Sequence, residues 1–216
     1  MKDFQGKLPI ILSILFVGSI SVTGFFQCKS LQGTSLFVPS IVFVVFYLVW
    51  LFAEAKVAKK EIGQKETSID FGSLEIYALS RAVLVLTGLS TTTVHKELTA
   101  LPAIGLIMFI LLIVFRLYAI NHLGQFYSHR VRIKEGHNIV DTGPYNFIRH
   151  PAYTGMIVGH LGFTLFFFNF WTLSLWALFH VPAVVYRIMV EERALFELSG
   201  YPEYAKTRKR LVPFLW

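Results

Sequence analysis

The sequence predicts an all-α integral membrane protein of about six transmembrane helices, the last two joined as a tight helical hairpin. Three observations carry that expectation. Of the 216 residues, 55% are hydrophobic and only 15% charged, with a mean hydropathy of +0.59, whereas soluble domains average about 45–50% apolar and about 25% charged residues. The apolar residues gather into six runs, each near the roughly 20 residues that a helix needs to cross a bilayer. The lysines and arginines fall unequally between alternate connections, as they do in membrane proteins of fixed orientation.

Taken in order, the runs cover residues 8–26, 36–53, 72–89, 98–120, 152–168 and 171–190. The first follows Lys2 and Lys7 as a signal peptide would, but no small-residue cleavage site follows it, so it reads as a spanning helix. If the N-terminus is cytoplasmic, fifteen of the 20 basic residues lie in cytoplasmic segments: Lys2 and Lys7, four lysines over 56–65, four residues over 130–149, and five over 193–210. The opposite side holds Lys29 and Lys96, while Arg81, Arg116 and Arg187 fall in or at the ends of runs. The positive-inside rule then places both termini and the Arg149 region in the cytoplasm. Trp50, Trp171 and Trp216 stand at expected membrane edges. The net charge of +7 flanks apolar runs without forming a solvated face, so membrane lipid headgroups rather than nucleic acid are the expected partners. The lone Cys28 excludes an intrachain disulfide and a cysteine-cluster metal site.

Two regions follow: an N-terminal four-span region, 1–120, and a C-terminal region, 121–216, that carries the unusual chemistry. Residues 121–142 mix apolar and polar side chains and read as interfacial, as a strand or a short helix on the bilayer. The histidines there, His122, His129 and His137, lack a paired metal-ligand spacing, so no metal is expected. Gly143-Pro144 is a turn signal and Pro151 suits the first turn of a helix, which puts Arg149 and His150 at a helix N-terminus where backbone N–H groups attract anions. An ordinary basic juxtamembrane loop is the plainer account of the same two residues.

The last two runs are separated only by Phe168-Asn169-Phe170, so residues whose numbers sum to about 340 should share a depth. Arg149 would stand level with Glu191, Tyr153 with Arg187, and His160 with His180. Gly155, Gly159 and Gly162 offer a small-residue seam between the two helices, and Pro182 a kink that opens a cavity. Arg187 and Glu191, four apart, can form a plain ion pair that ends the span. Alternatively, one of the adjacent acids Glu191 and Glu192 pairs with a basic residue while the other holds a cationic or hydroxylated ligand. Arg81 is expected to snorkel to the cytoplasm.

The run Leu123-Gly124, Tyr127-Ser128, 131–137, Gly143-Pro144-Tyr145, Arg149-His150-Pro151-x-Tyr153-x-Gly155, Arg187, Glu191-Glu192, Leu195, Gly200-Tyr201, Tyr204 and Pro213 resembles the isoprenylcysteine carboxyl methyltransferase family. That family is itself similar here to phospholipid methyltransferases and sterol reductases. The resemblance covers about the last 95 residues, and the first four runs match only in being apolar. It implies S-adenosylmethionine held between the Arg-His-Pro-x-Tyr loop and the helix of the two glutamates, with His137, Tyr145, Arg149, His150, Pro151, Tyr153, Gly155, Glu191 and Glu192 as cofactor-site residues.

Methyl transfer from a sulfonium is an in-line displacement that asks mainly for alignment and exclusion of water. The cofactor's carboxylate suits Arg149 or His150, and its ammonium and ribose hydroxyls suit Glu191 or Glu192. A carboxylate acceptor needs an orienting cation, a role expected of Arg187, with Tyr153 beside it. The expected substrate is lipid-like or prenylated, its tail among the apolar spans. A phospholipid amine or small thiol is an alternative acceptor, a sterol-type reductase using NADPH an alternative enzyme, and a membrane scaffold a non-enzymatic one. No Gly-x-Gly-x-x-Gly follows a strand, which excludes a soluble Rossmann-type methyltransferase.

Overall fold

All six apolar runs are helical. The computed structural model describes residues 2–61, 70–91, 93–131, 138–212 and 216, with side chains described from residue 13 and, in the second helix, only to 54. The helices are α1 (Lys2–Ser30), α2 (Phe37–Glu61), α3 (Ser73–Ser90), α4 (Ala100–Leu123), α5 (Pro151–Phe166), α6 (Phe170–Leu175), α7 (Val181–Leu195) and α8 (Tyr201–Thr207). A π-helical turn, Trp176–His180, joins α6 to α7. Among the described residues there is no sheet, only one parallel bridge between Ile148 and Lys209. Among the described residues, four segments are long and apolar enough to cross a membrane, namely Phe37–Glu54, Ser73–Ser90, Ala100–Phe126 and Phe170–Leu195. At 16 residues, α5 is about 24 Å long, short of the roughly 30 Å of a bilayer's hydrocarbon core.

The helices run alternately up and down, and contacts at each end show it. At one end Ser35 Oγ donates to Glu97 at 2.5 Å, Val94 N to Phe168 O at 2.9 Å, and Asn169 Nδ2 to Thr91 Oγ1 at 2.7 Å. Asn169 also caps α6 by accepting from Thr172 N at 3.0 Å, so the short connection between the last two spans is a built corner. At the other end the C-termini of α2, α4 and α7 meet the N-termini of α3 and α5. There Glu54 receives Arg81 Nη1 at 3.1 Å and Arg116 Nε at 2.7 Å, all three side chains buried. A buried carboxylate between two guanidiniums is stable because each desolvated charge has a partner, and removing one partner strands the rest.

That cluster corrects two expectations. Arg81 does not snorkel: besides Glu54 it donates to Tyr47 Oη at 3.1 Å and lies 4.3 Å from the Trp50 ring centroid. Trp50, 1% exposed, is therefore a core residue and not an interfacial one, whereas Trp171 is 65% exposed at the start of α6. The fourth run also extends further than expected, so Asn121 and His122 are helical and the division at residue 121 falls inside α4.

The glycine seam exists but faces another helix. A Cβ at Gly105 would lie 2.7 Å from Gly162 O, and one at Gly162 would lie 2.6 Å from Gly105 O. A Cβ at Gly155 would meet Leu112 O at 2.7 Å and Arg116 Cβ at 2.8 Å. The seam therefore joins α4 to α5, backbone against backbone, as small residues permit. The last two spans instead meet through side chains, with Trp176 Nε1 donating to Ile157 O at 3.0 Å and the His160 and His180 rings tilted against each other at 4.6 Å between centroids. The depth match of the two histidines is as expected. Nearer the mouth the pairing differs from the expected depth match: Arg149 meets Glu192 and Tyr153 meets Glu191. Pro182 is exposed and lines no cleft.

Gly105→Ala should lower stability by about 1–3 kcal/mol, the usual cost of overpacking, because its Cβ strikes backbone that cannot rotate away. Gly18→Ala, where nothing lies within 4 Å, is the control. Equal melting temperatures for the two variants in detergent would show that the backbones are not in contact.

Candidate functional site

A cleft, partly open to solvent, lies at the end where the basic residues collect. Arg116, Leu123, Phe126 and Tyr127 form one wall, Tyr145, Arg149, His150, Ala152 and Tyr153 a second, Glu191, Ala194 and Leu195 a third, and Tyr201 and Tyr204 the rim.

Local sequence explains the second wall. Gly143 has φ 56°, and a Cβ there would lie 2.7 Å from the His122 ring, so only glycine can start this turn. Pro144 then leads a 3-10 turn, Gly143–Asn146, which buries Tyr145. The Tyr145 hydroxyl donates to Ala119 O at 3.3 Å and its carbonyl accepts from Tyr204 Oη at 2.7 Å. Pro151 occupies the first position of α5 with His150 as the cap residue. The amides of Tyr153 and Thr154 both close on His150 O at 3.1 Å. The helix start therefore offers less free backbone N–H than expected, and the side chains of 149–153 carry the polar character.

Those side chains converge on the two glutamates in different ways. Glu192, 3% exposed, accepts from Arg149 Nη2 at 3.1 Å, His150 Nε2 at 3.2 Å and Arg210 Nε at 2.7 Å. Both of its oxygens are engaged, and it does not line the cleft. Glu191 lines the cleft and accepts from Tyr153 Oη at 2.6 Å. Of the two readings of the adjacent acids, one acid on basic residues and the other turned to a ligand space, this is the arrangement seen.

Arg187 stands apart from the cleft. Its guanidinium donates to Asp70 Oδ1 at 2.6 Å, to Ser73 Oγ at 2.8 Å and to the carbonyl of His129. It is 2% exposed and its ion-pair partner is Asp70, not Glu191. Neither the plain pair with Glu191 nor the free orienting cation describes it. The expected site residues thus separate: Tyr145, Arg149, His150, Tyr153 and Glu191 line one cleft, Glu192 braces them, and Pro151 and Gly155 shape α5. His137 lies outside the described residues.

Arg116, Tyr201 and Tyr204 are among the lining residues not expected as site residues. Arg116 projects from the last turns of α4, held by Glu54, by Ala152 O at 2.9 Å and by Tyr127 Oη at 3.3 Å. Tyr201 and Tyr204 come from α8, whose start is signalled by Gly200 at φ 86° followed by Pro202 in the first turn. That Gly-Tyr-Pro signal was in the sequence; what it could not show is that α8 folds back over the cleft. Burial pushes the Tyr204 phenol up to about 12, and burial raises Tyr145 and Tyr201 as well. All three remain neutral hydroxyls at any working pH. Two buried polar atoms of the lining, Arg149 Nε and Tyr201 Oη, have no partner within the protein and can meet a polar ligand. Among the described residues, no group of three His, Cys, Asp or Glu side chains could hold a metal ion.

Comparison with known proteins adds the family. Residues 104–197 match the isoprenylcysteine carboxyl methyltransferase family. A probable protein-S-isoprenylcysteine O-methyltransferase of Oryza sativa subsp. indica is 31% identical over 129 residues, 56% of this chain and 65% of the relative. A protein-S-isoprenylcysteine O-methyltransferase of Xenopus laevis is 32% identical over 136 residues, 57% of this chain and 46% of the relative. The chain thus spans less than two thirds of the length of these relatives. The solved structure of the eukaryotic intramembrane Ras methyltransferase ICMT superposes with a TM-score of 0.59 at 20% identity, over 98% of this chain and 81% of that one, so the two share a fold. Residues 104–197 thus resemble the isoprenylcysteine carboxyl methyltransferases, on a fold shared with that solved structure.

Proposed function

We propose that the cleft binds S-adenosylmethionine and that the protein methylates the carboxylate of an isoprenylcysteine-like, lipid-anchored acceptor. The observation that carries this reading is the convergence of Arg149, His150 and Tyr153 with Glu191 on one cleft, two of whose buried polar atoms lack partners. When bound, the cofactor supplies a methyl group activated by a sulfonium. The residues present fit it: Arg149 Nε can donate to a carboxylate, Glu191 can accept from an ammonium or a ribose hydroxyl, and Tyr201 Oη can serve either. A carboxylate that takes a methyl group from a sulfonium gains and loses no proton, so no residue need act as general acid or base. The protein's work is orientation and exclusion of water. Glu192 serves by fixing Arg149 and His150, and Leu123, Phe126 and Leu195 give the acceptor's apolar tail a dry wall.

In this reading the cleft opens to the cytoplasm, because the end of the bundle that carries it also carries most of the basic residues. With Cys28→Ala removing the native thiol, a cysteine at position 96 should react only with reagents on the opposite side. Labelling there from the cytoplasm would invert or break the proposed topology.

Calorimetry on the purified protein should show saturable binding of S-adenosylmethionine and none of NADPH. Glu191→Gln should weaken that binding by roughly tenfold to a hundredfold, the worth of a hydrogen bond to a charged group, at unchanged melting temperature. Glu192→Gln should lower the melting temperature first, since it loosens three basic groups at once. Saturable binding of NADPH instead would favour a reductase, and unaltered affinity in Glu191→Gln would move the cofactor away from this wall.

Arg187→Lys keeps the charge but loses the planar fork that serves Asp70, Ser73 and the His129 carbonyl together. Melting temperature, cofactor affinity and turnover should fall together. Collapse of turnover with affinity and melting temperature intact would instead assign Arg187 directly to the acceptor.

A further inference from the structure

Outside the cleft, the most uneven charge in the molecule lies on the segment after α8. Lys206, Arg208, Lys209 and Arg210 line a second concavity with Arg149 and Trp216, and no acidic residue lines it. Glu192, the carboxylate that Arg210 contacts, also receives Arg149 and His150. The segment is fixed in place: Arg149 N donates to Lys209 O at 2.8 Å, and His150 N to Arg210 O at 3.0 Å. Arg208 forks onto Asn146, Nε to the carbonyl at 3.1 Å and Nη2 to Oδ1 at 2.8 Å. Arg210 lies 5.1 Å from the Trp216 ring centroid. Lys206 and Lys209 are exposed on this frame.

The second observation is what surrounds the charge. Phe147 is 67% exposed, Val212 45% and Trp216 40%, beside the point where the apolar helix α5 begins. Exposed apolar and aromatic groups interleaved with lysine and arginine at the end of a span belong at the headgroup level of a membrane. A soluble anion would use the charges and leave these apolar groups in water.

We propose that this concavity is a binding site for the headgroup of an acidic phospholipid, with Lys206 and Lys209 taking the anionic group and Trp216, Phe147 and Val212 meeting the acyl boundary. Arg149 is a wall common to this site and the cleft, so an occupied headgroup site braces the 208–211 segment against the loop that carries Arg149 and His150. The assignment does not depend on which methyl acceptor or cofactor the cleft takes.

The test uses the full chain in nanodiscs of phosphatidylcholine containing a minor share of brominated phosphatidylglycerol or brominated phosphatidylcholine, with tryptophan quenching as readout. The brominated acidic lipid should quench more, and the excess should vanish in Trp216→Phe. Lys206→Gln/Lys209→Gln should weaken the preference roughly tenfold, since each lysine adds to attraction for an anionic surface. Lys206→Arg/Lys209→Arg should retain it, and melting temperatures report that each variant is folded. Added inorganic phosphate should not relieve the excess. Equal quenching by the two lipids, an excess that survives in the glutamine variant, or full relief by phosphate would each overturn the proposal, the last in favour of a soluble anion.

Discussion

One carboxylate holds the functional end of this molecule together. Glu192 sits on α7 yet receives two groups from the loop before α5 and one from the chain beyond α8. Three segments distant in sequence are thereby fixed to one point. A carboxylate so placed is stable only while its partners remain, because each has left water for the others. This is why the neighbouring acid can differ so sharply in role: with Glu192 satisfied by cations, Glu191 is left with a tyrosine hydroxyl and an open face.

A second carboxylate repeats the arrangement in the N-terminal spans. Glu54 gathers Arg81 and Arg116, and Arg116 in turn supports Ala152 O at the start of α5. Three of the four N-terminal spans, α2, α3 and α4, are thus joined to the wall of the cleft through hydrogen bonds, not through apolar packing alone. Beside them Tyr47, His160, His180 and Ser80 continue the polar chain into the bundle, with Tyr47 Oη 3.3 Å from His160 Nε2 and Ser80 Oγ 3.2 Å from His180 Nδ1.

Much of this was legible in the sequence. That each apolar run is helical follows from its length and composition, and the start of α5 follows from Pro151. The depth match of His160 and His180 follows from a three-residue turn. What could not be read is which face each helix presents. Gly155, Gly159 and Gly162 announce close approach but not to which neighbour, and α4 took the place expected for α7. Arg187 announces a buried need for a partner but not that Asp70, across a gap of more than a hundred residues, would meet it. Nor does any local signal mark Glu192, in place of Glu191, as the partner of Arg149.

The close approach of α4 and α5 has a consequence for motion. Where Gly105 and Gly162 bring two backbones into contact, neither helix can slide or tilt without the other, so the pair behaves as one rigid blade. Helix α7 touches that blade through the ends of side chains, which can rotate and re-form. If the cleft must widen to admit a long-tailed molecule from the bilayer, the hinge lies on the side of α7 and α8. The corner at Asn169 is its natural axis, and the rigid pair serves as the fixed jaw.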